Sequence, residues 1–122
     1  MKVLLIDDDA FLRDMYATKF AECGHEVVSA DQATAAMTVL ANQTDIDVVL
    51  VDMVMPGMSG TELITQIKAE GLAADAIIIV LSNQSQKADI DEALAAGAVD
   101  YIVKAEHIPS EVVAKVEQIS KS

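Results

Sequence analysis

A chain of 122 residues with 52% apolar residues is long enough for one domain that buries about two-thirds of the surface its unfolded form exposes. Aromatic residues make up 3% and tryptophan is absent, so the core must be built from Val, Ile, Leu, Met and Ala, which suits parallel strands covered by helices. Twenty Asp and Glu against eight Lys and Arg give a formal charge of −12, which repels a phosphate backbone and argues against direct binding of nucleic acid.

No apolar run is long enough to span a bilayer, and Asp7, Asp8 and Asp9 interrupt the one nearest the N-terminus, so no membrane association is expected. The single cysteine, Cys23, has no partner for an internal disulfide and favours a reducing compartment. A cytoplasmic location is expected, with Cys23 as a small buried hydrophobe near a helix end.

Short β-branched runs alternate with longer stretches of helical period, the pattern of repeated βα units and a parallel sheet. Strands are expected over residues 2–7, 26–30, 47–52, 76–81 and 99–103. The middle three apolar runs show little alternation, as central strands buried on both faces do. After the first strand, Asp9 can cap a helix running to about Cys23, with Leu12, Tyr16 and Phe20 at four-residue spacing and Gly24 as its stop. Further helices are expected over 32–42, 60–70, 86–96 and 109–119, the last with Pro109 in its first turn, where the missing N–H is harmless. Short connections and right-handed crossovers make this an α/β protein. Its expected fold is a flavodoxin-like, doubly wound five-stranded parallel sheet of order 2-1-3-4-5 with five helices, one domain over residues 1–122.

In that order Asp7 and Asp8 end the first strand and Asp52 ends the third, so three carboxylates meet at the topological switch point where such sheets bind ligands. Their mutual repulsion is relieved by a hard divalent cation with oxygen ligands, and Mg²⁺, with Mn²⁺ as the alternative, suits an open site. Taken as a pair, the two adjacent acids could equally be helix caps, as Asp9 is expected to be. Two polar residues break other apolar strand ends: Ser82 after Ile-Ile-Ile-Val-Leu and Lys104 after Tyr-Ile-Val. A hydroxyl and an ammonium beside a carboxylate are the donors that a phosphoryl group on that carboxylate needs.

Leu4-Leu-Ile-Asp-Asp-Asp9, Asp52-Met-Val-Met-Pro-Gly-Met-Ser-Gly60, Ser82 and Lys104 together resemble, in order and spacing, the response-regulator receiver domains of bacterial two-component systems, chemotaxis regulators among them. The resemblance covers nearly the whole chain. It implies that Asp52 is the nucleophile that takes a phosphoryl group from a sensor histidine kinase, a phosphotransfer protein or a small phosphodonor. It also implies that Asp8 is the principal acidic Mg²⁺ ligand, that Asp7 acts through water, and that Asp52 and the backbone carbonyl of Val54 complete the metal site. By the same resemblance Lys104 pairs with Asp52 and then with the phosphoryl group, and Ser82 swings inward to it. Tyr101 then rotates inward and alters the face of the fourth helix, fifth strand and fifth helix for a downstream protein.

Tyr101 also reads as an ordinary partly buried aromatic, and Met53, Met55 and Met58 as loop packing. Pro56, Gly57 and Gly60 are turn formers, and His25 and His107 lie outside the motif set. Most receivers follow the lysine with proline, whereas Ala105 stands here; a cis bond without proline costs about 3 kcal/mol, so a trans peptide is expected. Val54 and Gln84 sit two residues past Asp52 and Ser82, positions that tune phosphoryl lifetime in the family. An apolar side chain at Val54 cannot orient a hydrolytic water, so slow self-dephosphorylation is expected.

Other readings share parts of this pattern. The chain could be an input module of a longer regulator with a DNA-binding or catalytic output domain. An aspartyl-phosphate phosphatase of the haloacid-dehalogenase kind would place its nucleophile on the first strand in an Asp-x-Asp pattern, not at the end of the third. A flavin-binding relative would need stacking aromatics and a phosphate-binding loop that this chain lacks.

Overall fold

Alternation of side chains along each strand sorts the apolar residues onto two faces, and each face is closed by its own helices. The computed structural model describes residues 1–122. Its strands are β1 (Lys2–Ile6), β2 (Glu26–Ala30), β3 (Val48–Val51), β4 (Ile77–Ser82) and β5 (Asp100–Val103). They form one all-parallel sheet of order β2-β1-β3-β4-β5, the expected topology. The helices are α1 (Ala10–Glu22), α2 (Ala33–Asn42), α3 (Gly60–Ala69), α4 (Lys87–Ala96) and α5 (Pro109–Ser120). A 3₁₀ turn over Lys104–Glu106, not foreseen from the sequence, precedes the last helix.

On one face Leu4, Ile6, Val49, Val51, Ile78 and Val80 pack with Leu40 of α2, Leu63, Ile64 and Ile67 of α3, and Ala93 of α4. On the other, Val3, Leu5, Val48, Leu50, Ile79, Leu81 and Ile102 pack with Tyr16 and Phe20 of α1 and Val112, Val113 and Val116 of α5. The odd–even division follows from the period of two along a strand.

β1, β3 and β4 are buried on both faces, whereas β2, whose apolar run reads like that of a central strand, lies at the edge where the expected order puts it, with only Ala30 fully buried. Its Val27 and Val28 mimic a central strand in sequence, while Glu26 and Ser29 face solvent.

Local signals explain the helix ends. The Asp9 carboxylate accepts the Leu12 N–H at 3.0 Å and starts α1, and Gly24 at φ +90° turns the chain out of it. Cys23, expected to be buried, is exposed at the C-cap of α1, because Phe20 fills the core position of that last turn. Ser59 and Glu62 form a reciprocal capping box ahead of α3. Pro109 opens α5, and the Glu111 carboxylate accepts the Ile108 N–H at 2.9 Å.

Candidate functional site

The carboxyl ends of β1, β2 and β3 are tied together by backbone bonds: Asp7 N–H donates to Ala30 O and Asp52 N–H donates to Ile6 O, each at 3.1 Å. The residues just past β1 and β3 are thereby placed side by side. Four polar or charged side chains of the protein are buried, and all lie at the carboxyl ends of strands: Asp7 after β1, Asp52 after β3, Ser82 ending β4 and Lys104 after β5. With Asp8 and Val54 they line one cavity of about 360 Å³.

Lys104 lies at its centre. The ammonium donates to Asp7 Oδ2 at 2.7 Å and to Asp52 Oδ2 at 2.9 Å. Burial works against its charged form, but the hydrogen bonds and charges of Asp7 and Asp52 outweigh burial and hold its pKa above the ordinary 10.5. The remaining oxygens are also engaged: Asp7 Oδ1 accepts the Asp9 N–H at 2.9 Å, and Asp52 Oδ1 accepts the Val54 N–H at 3.2 Å. Asp8 is exposed, and one of its carboxylate oxygens lies with those of Asp7 and Asp52 in a group spanning no more than 4.8 Å. Three carboxylates against one ammonium leave two negative charges uncompensated, and an all-oxygen, partly open site of that charge fits a hard divalent cation.

Ser82 is buried in the same cavity, and its hydroxyl accepts the Gln84 N–H at 3.3 Å. Tyr101 was expected to swing inward only on phosphorylation. In the structure its ring is already buried, its hydroxyl donates to the Gln84 carbonyl at 2.6 Å, and burial pushes the phenol pKa up. The Gln84 backbone therefore bridges Ser82 and Tyr101, one through its N–H and the other through its carbonyl. The sequence marks Gln84 by its place two residues past Ser82 but not by this bridge, which depends on a turn that no single residue marks.

The Lys104–Ala105 peptide is trans, as expected for a bond without proline. Lys104 reaches both acids with this geometry, and the 3₁₀ turn carries the chain on to α5. Val54 is 55% exposed, with its apolar side chain at the mouth of the cavity. His25 bonds Glu117 at 2.8 Å and His107 lies 4.0 Å from Glu111; neither lines this cavity.

Two contributors were missed in the sequence. Arg13 Nη1 donates to the Asp7 carbonyl at 2.8 Å. Gly60 packs so closely that a Cβ there would lie 2.3 Å from the Asp52 carbonyl oxygen. The glycine had a visible signal, its place in the stretch from Asp52 to Gly60, but it was read as a turn former. Arg13 had none.

The chain matches the family model of the response regulator receiver domain over residues 3–117. It belongs to that family. It is 34% identical over 105 residues to a chemotaxis protein CheY homolog of Campylobacter jejuni, a match covering 85% of this chain and 81% of that protein. It is 32% identical over 117 residues to the phosphate regulon transcriptional regulatory protein PhoB of Pseudomonas aeruginosa, covering 96% of this chain and 50% of PhoB. Against the rice two-component response regulator-like PRR37 the identity is 34%, and the match spans 14% of that longer protein. Among solved structures, Vibrio cholerae CheY4 superposes with a TM-score of 0.89 at 24% identity, covering 97% of each chain, which bears on the fold. A response regulator of Thermotoga maritima gives 0.86 at 29% identity over 99% of this chain and 98% of its own. Receiver domains are signalling domains rather than classical enzymes, and no helix of this chain is long and apolar enough to cross a membrane.

Proposed function

We propose that this receiver domain is a phosphorylation-dependent switch in a two-component phosphorelay, with Asp52 as phosphoacceptor. The observation that carries the reading is the convergence of the buried Asp7, Asp52, Ser82 and Lys104 in one cavity beside Asp8. An Asp52 carboxylate oxygen attacks the phosphorus of a phosphohistidine on a sensor histidine kinase or phosphotransfer protein, or of a small phosphodonor. A P–O bond to Asp52 forms and the bond from phosphorus to the donor breaks, its electron pair leaving on the imidazole of phosphohistidine or on the leaving group of the small donor, acetate in the case of acetyl phosphate.

Asp8, Asp52 and the Val54 carbonyl would hold Mg²⁺, or Mn²⁺ in its place, with Asp7 acting through water. Both Asp7 oxygens already have donors, whereas Asp8 has none among the side-chain hydrogen bonds, which favours this division of roles. When bound, the cation neutralises charge on the phosphoryl oxygens. Lys104 exchanges its bond to Asp52 for one to the phosphoryl group. The Ser82 hydroxyl turns from the Gln84 N–H to donate to a phosphoryl oxygen.

Because Gln84 also holds Tyr101, the Ser82 turn changes the balance of Tyr101 positions, and with it the face of α4, β5 and α5 offered to a downstream protein. The inward Tyr101 is one member of a two-state population, and phosphorylation shifts that population through its contacts with Ser82 and Lys104. Amide NMR on adding phosphoramidate with Mg²⁺ tests this. Shifts are expected at Ser82, Gln84, Tyr101 and along α4; a response confined to residues 7–9 and 52–54 would contradict the switch.

The apolar Val54 side chain at the mouth predicts a long-lived phosphoryl group. Val54→Asn should shorten its half-life several-fold in a decay assay after donor removal; decay of the natural form within seconds would contradict the reading.

We place the domain in the cytoplasm, acting on protein partners and not on nucleic acid directly, in keeping with its charge of −12. PhoB, of which the match covers 50%, motivates a second reading in which the same switch is the input module of a longer regulator. The sequence of the full-length transcript separates the two.

A further inference from the structure

We infer that Arg13 is a positioning residue for the acidic pair, fixing the peptide between Asp7 and Asp8 so that the Asp8 carboxylate is presented to a bound divalent cation. The inference rests on the Mg²⁺ reading of the site. Arg13 is the only arginine of the chain and sits in the first turn of α1, where the helix dipole disfavours a cation. Helix stability therefore gives no account of it. Its own N–H bonds the Asp9 carbonyl at 2.9 Å, which fixes its base, and Nη1 reaches back to the Asp7 carbonyl at 2.8 Å.

That bond completes the restraint of Asp7. The Asp7 N–H is held by Ala30, Oδ1 by the Asp9 N–H, Oδ2 by Lys104, and the carbonyl by Arg13. Three of these bonds locate the Asp7 side chain and the strand end. The fourth sets the plane of the peptide leading into Asp8, whose exposed side chain has no hydrogen-bond partner of its own to orient it. Without the guanidinium, that peptide can rotate and carry the Asp8 carboxylate away from Asp52.

Charge and position predict opposite outcomes, so the two can be separated. Acting through charge alone, Arg13 would repel the cation, and its removal would tighten Mg²⁺ binding by roughly twofold, an effect erased by salt. Acting through position, its removal weakens binding by about tenfold, as loss of partners that orient metal ligands does.

The test is calorimetric titration of the whole chain with MgCl₂ at low and high salt, for the natural protein, Arg13→Met and Arg13→Lys, with urea midpoints alongside. Weakening by about tenfold in Arg13→Met at both salt concentrations, and by less in Arg13→Lys, is the expected result. Unchanged or tighter binding in Arg13→Met overturns the inference while leaving the Mg²⁺ site standing. No Mg²⁺ binding by the natural chain overturns both. If Arg13→Met fails to fold, Arg13→Lys decides: weaker Mg²⁺ binding supports positioning, and unaltered binding overturns it.

Discussion

Replacing Lys104 by methionine is expected to lower the unfolding free energy by about 3 kcal/mol, at the lower end of the cost of breaking a buried ion pair because the cavity opens to solvent. Lys104 is 7% exposed and its ammonium bridges Asp7 and Asp52, themselves 1% and 8% exposed. Without it two buried carboxylates face each other with no counter-charge. Urea denaturation at neutral pH measures the loss, and a change below about 1 kcal/mol would contradict the account.

The pH dependence has a definite sign. Lys104 titrates above its ordinary 10.5 in the folded protein, so its contribution is fully present below 10.5 and is lost as pH rises through the raised folded value. On the alkaline side, the stability gap between the natural chain and Lys104→Met should therefore persist until strongly alkaline solution. Mg²⁺ should stabilise the variant more than the natural chain, because the cation then supplies the missing positive charge.

Gly60→Ala is the second large effect. The added methyl would meet the Asp52 carbonyl oxygen at 2.3 Å and Met53 Cα at 2.8 Å, both backbone atoms that cannot move aside without displacing Asp52. A loss of about 2–3 kcal/mol is expected from overpacking, together with slower phosphoryl uptake. Gly57→Ala is the control: φ is +84° and nothing lies within 4 Å of the new methyl, so it carries only left-handed backbone strain of about 1 kcal/mol. If Gly60→Ala proved no worse than Gly57→Ala in stability and uptake, close packing against Asp52 would not be what glycine serves there.

Strand order and the cavity residues were legible in the sequence because both have local signatures. A polar residue ending an apolar strand, as Asp7, Asp52, Ser82 and Lys104 do, is costly unless it meets others of its kind, and the βα repeat sets which ends meet. What failed depended on surroundings. The two-sided burial that the run of Val27 and Val28 suggests is not met, because the strand order, itself foreseen, leaves β2 at the edge. Cys23 has the composition of a core residue but falls on the solvent side of the last turn of α1. The Gln84 bridge and the Arg13 bond to the Asp7 carbonyl use backbone groups, which every residue carries and no side-chain pattern announces. The trans peptide after Lys104 was foreseen; the 3₁₀ turn that follows was not.

The central claim is that Asp52 accepts a phosphoryl group in a cation-dependent reaction. Intact mass after incubation with acetyl phosphate or phosphoramidate, with and without Mg²⁺, on the natural chain and on Asp52→Asn, tests it most directly. The account predicts a gain of one phosphoryl group in the natural chain with Mg²⁺ and none in Asp52→Asn. No gain under any condition, or an equal gain in Asp52→Asn, would contradict it.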